Sequence, residues 1–270
     1  MNVTSLATEL GITKQCLFSY LWRHKYRIDK IGRDAVLTQD QILTIRGYYN
    51  NKNNFKRLEL TPRQLEIVIG SLLGDGNLRN PPRGDSSFRK TQCRRRRDYL
   101  EWHVKELGLF SKPLYDGTKL APTRNGNKIT TNEIRILEHT DFYTRNSHVF
   151  TELRNKWYKD NIKIVPSDVE LSPLVIAVWY CDDGYNDVKR KQIRISTNAF
   201  TFNEVELLVS KLKVSNLFFN IQCVGKKPVM NLSRKSYIDF IDIITPYVVC
   251  NSMQYKLKIV RPYLVNSQAH

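Results

Sequence analysis

Apolar side chains at Leu65, Val68, Ile69, Leu72 and Leu73 recur at i, i+3, i+4, i+7 and i+8, the spacing of a helix that buries one face. Its start is punctuated: Thr61 stands as N-cap, Pro62 takes the first helical position, and Gln64 at N3 closes a capping box. Its end falls at Gly74 or Gly76, which leaves Asp75 at the C-terminal tip of an otherwise ordinary core helix. A second stretch, LSPLVIAVWYCDDGYND (residues 171–187), repeats the order. Ser172 caps, Pro173 opens, an apolar run succeeds it, and Asp183 precedes Gly184.

The repeat extends beyond the two helices. After Asp75 comes the strand-like SSFRKTQ and a helix from near Asp98; after Asp183 comes QIRISTN and then FTFNEVELLVSKL, a helix with Thr201 as cap and Glu204 at N3. Lys128 opens a later strand-like run in the first copy and Lys227 opens one in the second, and each copy finishes in a helix, over residues 146–157 and 236–244. The reading is an α+β fold in which αββαββα occurs twice, in halves of residues 58–165 and 166–270 related by a pseudo-two-fold axis.

Ahead of the repeat, VTSLATELGITKQCLFSYLWRHKYRI holds two short helical patterns separated by Gly11, with Thr13 placed to cap the second. This resembles a helix-turn-helix, whose second helix would show Lys14, Gln15, Ser19 and Arg23 to a major groove. A further helix is expected over residues 38–48, where Thr38 and Gln41 suit a capping box, and NNKNNFK (50–56) reads as a linker that closes a small helical domain of residues 1–57.

Charge narrows the partner. The 270 residues carry 43 Lys and Arg against 26 Asp and Glu, a net charge of +17, which favours a polyanion through counterion release. No basic amphipathic stretch is long enough for a membrane surface, and neither a leader-like h-region nor an apolar span of about 18 residues occurs, so a soluble intracellular protein is expected. The five cysteines form no CxxC pair and the five histidines no metal-ligand spacing, which argues against a disulfide framework and a zinc site.

The two aspartate-tipped helices carry the candidate chemistry. Small residues four apart, Gly70 and Gly74 in one, Ala177 and Cys181 in the other, would let the helices approach closely and bring Asp75 and Asp183 together. Carboxylates crowded at two helix C-termini repel each other and the carbonyl dipoles, and a hard cation such as Mg²⁺ relieves both. Asp182 is an extra carboxylate, and alignment by small residues instead of by glycine would pair it with Asp75. Trp179, Tyr180 and Tyr255 read as packing residues.

IGSLLGDG and IAVWYCDDG resemble the paired motifs of the single-chain LAGLIDADG homing endonucleases, supported by Lys163 with Pro166 before the second motif and by STNAFTFNEVELL and TPYVVCNSMQYKL after it, over about residues 58–262. The resemblance implies two saddle-shaped antiparallel sheets over duplex DNA and a site-specific, Mg²⁺-dependent endonuclease, monomeric, encoded by an intron, intein or free-standing element. A maturase of intron RNA or a non-cleaving regulator is the alternative. By position it implies Asp75 and Asp183 as metal ligands, the carbonyls of Gly74 and Asp182 as auxiliary ligands, Lys163 and Lys227 as basic residues at the site's edge, and Gln92 and Asn198 as residues ordering water. Arg94, Arg95, Arg96 and Arg97 are expected on phosphates, and Arg79, Arg83, Arg89, Lys90, Lys189, Arg190, Lys191 and Arg194 on bases or phosphates.

Overall fold

The computed structural model describes residues 1–23, 35–56, 58–125 and 128–259, with side chains omitted at 23, 50–56, 123–125 and 128–133. It separates into two compact units, Met1–Leu58 and Glu59–His270.

The first unit is helical: α1 (Val3–Glu9), α2 (Lys14–Arg23) and α3 (Gln39–Lys56). Gly11 adopts φ +62° between the first two, a left-handed turn that glycine tolerates without cost, and the Ile12 N–H donates to the Ala7 carbonyl at 3.0 Å. Thr13 Oγ1 caps α2 by accepting from the Cys16 N–H, and Thr38 and Gln41 form the reciprocal cap of α3. Leu6, Leu17 and Ile45, one from each helix, are buried in a core belonging to this unit. The polar stretch 50–56, expected as a linker, instead continues α3 to Lys56.

The second unit holds the repeat. Its first half runs α4 (Pro62–Leu73), β1 (Asn77–Arg79), β2 (Ser87–Cys93), α5 (Arg97–Leu107), β3 (Tyr115–Asn125), β4 (Lys128–Tyr143) and α6 (His148–Trp157). A short hairpin, β5 (Tyr158–Lys159) and β6 (Ile162–Lys163), leads to the second half. That half comprises α7 (Pro173–Asp183), β7 (Gly184–Asp187), β8 (Gln192–Ser196), α8 (Phe202–Val214), β9 (Phe219–Val224), β10 (Lys227–Leu232) and α9 (Tyr237–Ile244). Each half is thus αββαββα, with antiparallel sheets ordered β1-β2-β4-β3 and β7-β8-β10-β9.

Both leading helices start as their sequences dictate. Thr61 and Gln64 form the full capping box of α4, and Ser172 accepts from the Val175 N–H at the head of α7. The helices then pack on each other closely. A Cβ at Gly70 would lie 2.6 Å from the Val175 carbonyl oxygen, and one at Gly74 would lie 2.5 Å from the Asp182 Cβ. The face that α7 offers to these glycines is therefore Val175, Val178 and Asp182, where Ala177 and Cys181 were expected. Trp179 and Tyr180 are fully buried. Among the described residues no helix is long and apolar enough to cross a membrane.

Candidate active site at the paired helix ends

Strand register decides which aspartates correspond. Asp75 lies two residues before Asn77, which pairs with Arg89; Asp183 lies two residues before Tyr185, which pairs with Arg194. Half-exposed Arg89 and Arg194 then match, as do buried Lys90 and Ile195. A one-residue shift would place an inward residue opposite an outward one along the whole strand. Asp75 is thus equivalent to Asp183, and Asp182 stands where the first half has Gly74.

The two equivalent carboxylates differ in surroundings. Asp75 is exposed, and its Oδ2 accepts from Gln92 Nε2 at 2.6 Å. Gln92 Oε1 in turn accepts from Arg96, whose guanidinium also reaches the Tyr255 hydroxyl at 2.8 Å. Tyr255, expected to pack, is half exposed and lines a cavity of about 420 Å³ with Arg95, Arg96 and Ser252. Asp183 is more enclosed: burial, then the neighbouring charges of Asp75 and Asp182, push its carboxyl up to about 7.

A lysine crowns each helix end. Lys163 Nζ donates to the carbonyls of Leu72 (2.9 Å), Gly74 (3.2 Å) and Gly76 (2.7 Å). Lys256 Nζ donates to those of Tyr180 (3.0 Å), Cys181 (2.6 Å) and Asp182 (3.5 Å). Each ammonium meets the negative pole of a helix dipole, and burial holds both below the ordinary lysine value. The partner of Lys163 is therefore Lys256, not Lys227. Lys227 is exposed and donates to the Asn198 carbonyl. Asn198 is exposed too, and among the described residues no hydrogen bond links it to either aspartate; by strand register the counterpart of Gln92 is Thr197. Lys256 belongs to the stretch MQYKL, in which the tyrosine is the more conspicuous residue.

Beneath the carboxylates lies a second, dry polar cluster. Lys90 and Asp182 are both buried, with Nζ and Oδ2 2.7 Å apart. Lys90 also reaches Ser71 Oγ (3.0 Å), the Tyr99 hydroxyl (3.3 Å) and His103 Nε2 (3.3 Å). His103 Nδ1 lies 2.8 Å from the Tyr99 carbonyl, which can only accept, so Nδ1 carries a proton; Nε2 faces the Lys90 ammonium, which can only donate, and is therefore the acceptor of a neutral ring. Burial, and then the Lys90 charge, hold its pKa well below the usual histidine value. The same Asp182 Oδ2 accepts from the Asp75 N–H at 3.2 Å. Lys90 therefore does not face outward as expected. The alternation of β2 turns Phe88, Lys90 and Gln92 inward and Arg89, Thr91 and Cys93 outward.

The other basic candidates are divided. Arg79, Arg83, Arg94, Arg95, Lys189 and Lys191 are exposed. Arg89 pairs with Asp141, Arg97 with Glu101 and Asp116, exposed Arg94 also with Asp116 at 3.7 Å, Arg190 with Asp187, and Arg194 donates to Asn231. In the first unit Lys14, Gln15 and Ser19 lie on the exposed face of α2, and the side chain of Arg23 is outside the described residues.

A hard divalent ion suits this donor set. Asp75 and Asp183 present carboxylates that are mutually repulsive without a cation, and among the described residues no third His, Cys, Asp or Glu completes a cluster. Water and phosphate oxygens would fill the remaining positions, as Mg²⁺ prefers. The Gly74 and Asp182 carbonyls, expected as auxiliary ligands, already accept from the two capping lysines.

Two αββαββα halves joined through aspartate-tipped helices define the single-chain, double-motif class of homing-endonuclease folds. Residues 65–240 match the LAGLIDADG DNA endonuclease family, and the chain belongs to it. The cytochrome b mRNA maturase bI2 of Debaryomyces hansenii is 30% identical over 222 residues, covering 80% of this chain and 76% of the relative. The probable intron-encoded endonuclease 1 of Wickerhamomyces canadensis is 28% identical over 212 residues, 73% of this chain and 85% of the relative. Among solved structures, the homing endonuclease I-WcaI bound to its DNA recognition sequence has a TM-score of 0.65 at 22% identity, covering 84% of this chain and 96% of that one, a likeness of fold.

Proposed function

We propose that this chain acts as a monomeric, divalent-metal-dependent endonuclease that cuts both strands of a long, asymmetric DNA site, leaving 3′ overhangs and promoting mobility of the intron, intein or element that encodes it. The observation that carries this reading is the pair Asp75 and Asp183 at the ends of two closely packed helices, where a Cβ at Gly74 would lie 2.5 Å from the Asp182 Cβ and the Asp75 N–H donates to Asp182 Oδ2 at 3.2 Å. A bound Mg²⁺ would supply Lewis-acid activation of water and neutralise charge on the phosphate. Asp75 and Asp183 would hold it, Gln92 fixes the Asp75 carboxylate, and Arg96 extends that hydrogen-bonded line to the Tyr255 hydroxyl. Lys163 and Lys256 hold the helix ends and place positive charge beside the carboxylates. Exposed Arg79, Arg83, Arg94 and Arg95 supply phosphate contacts.

The test is Asp75→Asn and Asp183→Asn with a target duplex and Mg²⁺. Each is expected to lower double-strand cleavage by at least about a thousandfold while duplex affinity stays within about threefold, since Asn preserves shape and removes charge. Either variant cutting both strands at the wild-type rate would overturn the assignment. One finding favours a second reading, in which the same fold assists RNA splicing: the 30% identical relative is named a maturase. Wild type that binds a duplex tightly without cutting it, and binds intron RNA, would support that reading.

A further inference from the structure

Met1–Leu58 is a compact unit of its own, and the family match begins at residue 65. Its α2 is held from behind by buried Leu17, Tyr20 and Leu21. On the other side Gln15, Ser19 and Trp22 fall at i, i+4 and i+7, one stripe along the helix, with Lys14 at its head. Trp22 is 82% exposed. An indole left in water is contact area a folded unit has not used, and such side chains mark binding faces. The stripe contains no carboxylate, and the one at the end of α1, Glu9, is paired to Arg46 of α3 at 2.7 Å. Over residues 1–58 ten Lys and Arg stand against four Asp and Glu.

We infer that this unit is a second duplex-reading element, with α2 seated in a major groove next to the stretch gripped by the rest of the chain. Lys14 meets phosphate, Gln15 and Ser19 meet base edges, and Trp22 packs on sugar and methyl groups. The left-handed turn at Gly11 sets the angle between α1 and α2 that lets the second helix protrude. Groove dimensions choose DNA over RNA. A helix about 10–12 Å across matches the roughly 12 Å major groove of B-DNA, whereas the A-form major groove is too narrow to admit it. Tethering to a chain already bound to the same duplex makes even a weak module effective.

The inference rests on the duplex-binding part of the proposed function, so the experiment separates the two. Duplexes are selected from a randomised DNA pool by the full-length chain in the Asp75→Asn background, with and without Lys14→Ala/Gln15→Ala/Trp22→Ala, and the selected duplexes are then offered to wild type with Mg²⁺. Because the three positions are exposed, the variant should keep wild-type melting behaviour. The parent should select a block of roughly three to four base pairs at one end of the consensus that the variant does not. Affinity for duplexes carrying the block should fall about 10- to 100-fold. An identical consensus and affinity would overturn the inference. So would a deficit confined to a pool of random-sequence RNA hairpins. If the block is selected but wild type never cuts, the nuclease reading falls and this one stands; if wild type cuts and no block is selected, the reverse holds.

Discussion

Burying the Lys90 ammonium costs several kcal/mol in lost hydration, and what offsets it is the Asp182 carboxylate 2.7 Å away together with Ser71 and Tyr99. Removing one partner leaves the other charged and dry. Lys90→Met should therefore lower unfolding free energy by about 3–5 kcal/mol, and Lys90→Met/Asp182→Asn should recover part of that loss in urea melts. A single-mutant cost below about 1 kcal/mol would show that the pair is not held as an ion pair. His103, packed on Lys90 and neutral, makes stability depend on pH with a definite sign. Its folded pKa is depressed, so the unfolded chain takes up the proton first, and stability present above about pH 6.5 is lost as pH falls below it. The slope this residue adds is at most about 1.4 kcal/mol per pH unit. Urea melts at pH 7.5, 6.5 and 5.5 should show a fall that His103→Gln lacks, and the difference between the two proteins cancels the opposing titration of Asp182 and Asp183. At this scale the sequence is partly legible. Gln92 is found by its offset from Asp75, but Lys90 reads as one of its basic neighbours although Phe88, Lys90 and Gln92 alternate with Arg89, Thr91 and Cys93. Lys256 escapes a sequence reading because nothing local shows that it reaches back 76 residues to the end of another helix.

Between elements, the decisive contact is α4 on α7. With backbone oxygen 2.6 Å from where a Cβ would sit, Gly70→Ala must push the helices apart, costing about 1–3 kcal/mol. It should also separate Asp75 from Asp183, so cleavage under saturating Mg²⁺ should drop more than a comparable loss of stability elsewhere explains; a variant of normal activity would show that the helices can shift without moving the carboxylates. Helix positions are readable because caps and 3.6-residue spacing are local: Thr61, Ser172 and Thr201 all cap as expected. β1 and β7 are not, since three and four residues just beyond an aspartate and a glycine have too little periodicity to stand out. Residues 50–56 form helix against their composition, extending α3 beyond its expected end.

For the molecule as a whole, a net charge of +17 over the 270 residues sets how binding responds to salt. If six or more phosphates are neutralised, duplex affinity should fall by at least about a thousandfold between 50 and 200 mM monovalent salt; a drop under tenfold would mean that the exposed arginines are not on the backbone. The repeat itself is legible because the same order of elements occurs twice, but the exchange hidden inside it is not. Lys90 belongs to the first half and Asp182 to the second, while their symmetry mates are Ile195 and Gly74. Two first halves set face to face would leave each Lys90 against a glycine with no anion to meet. Two second halves would leave each Asp182 against isoleucine. The halves have thereby lost the freedom to pair with their own kind. Neither half can therefore stand in for the other, because the Lys90–Asp182 pair takes its cation from one side and its anion from the other.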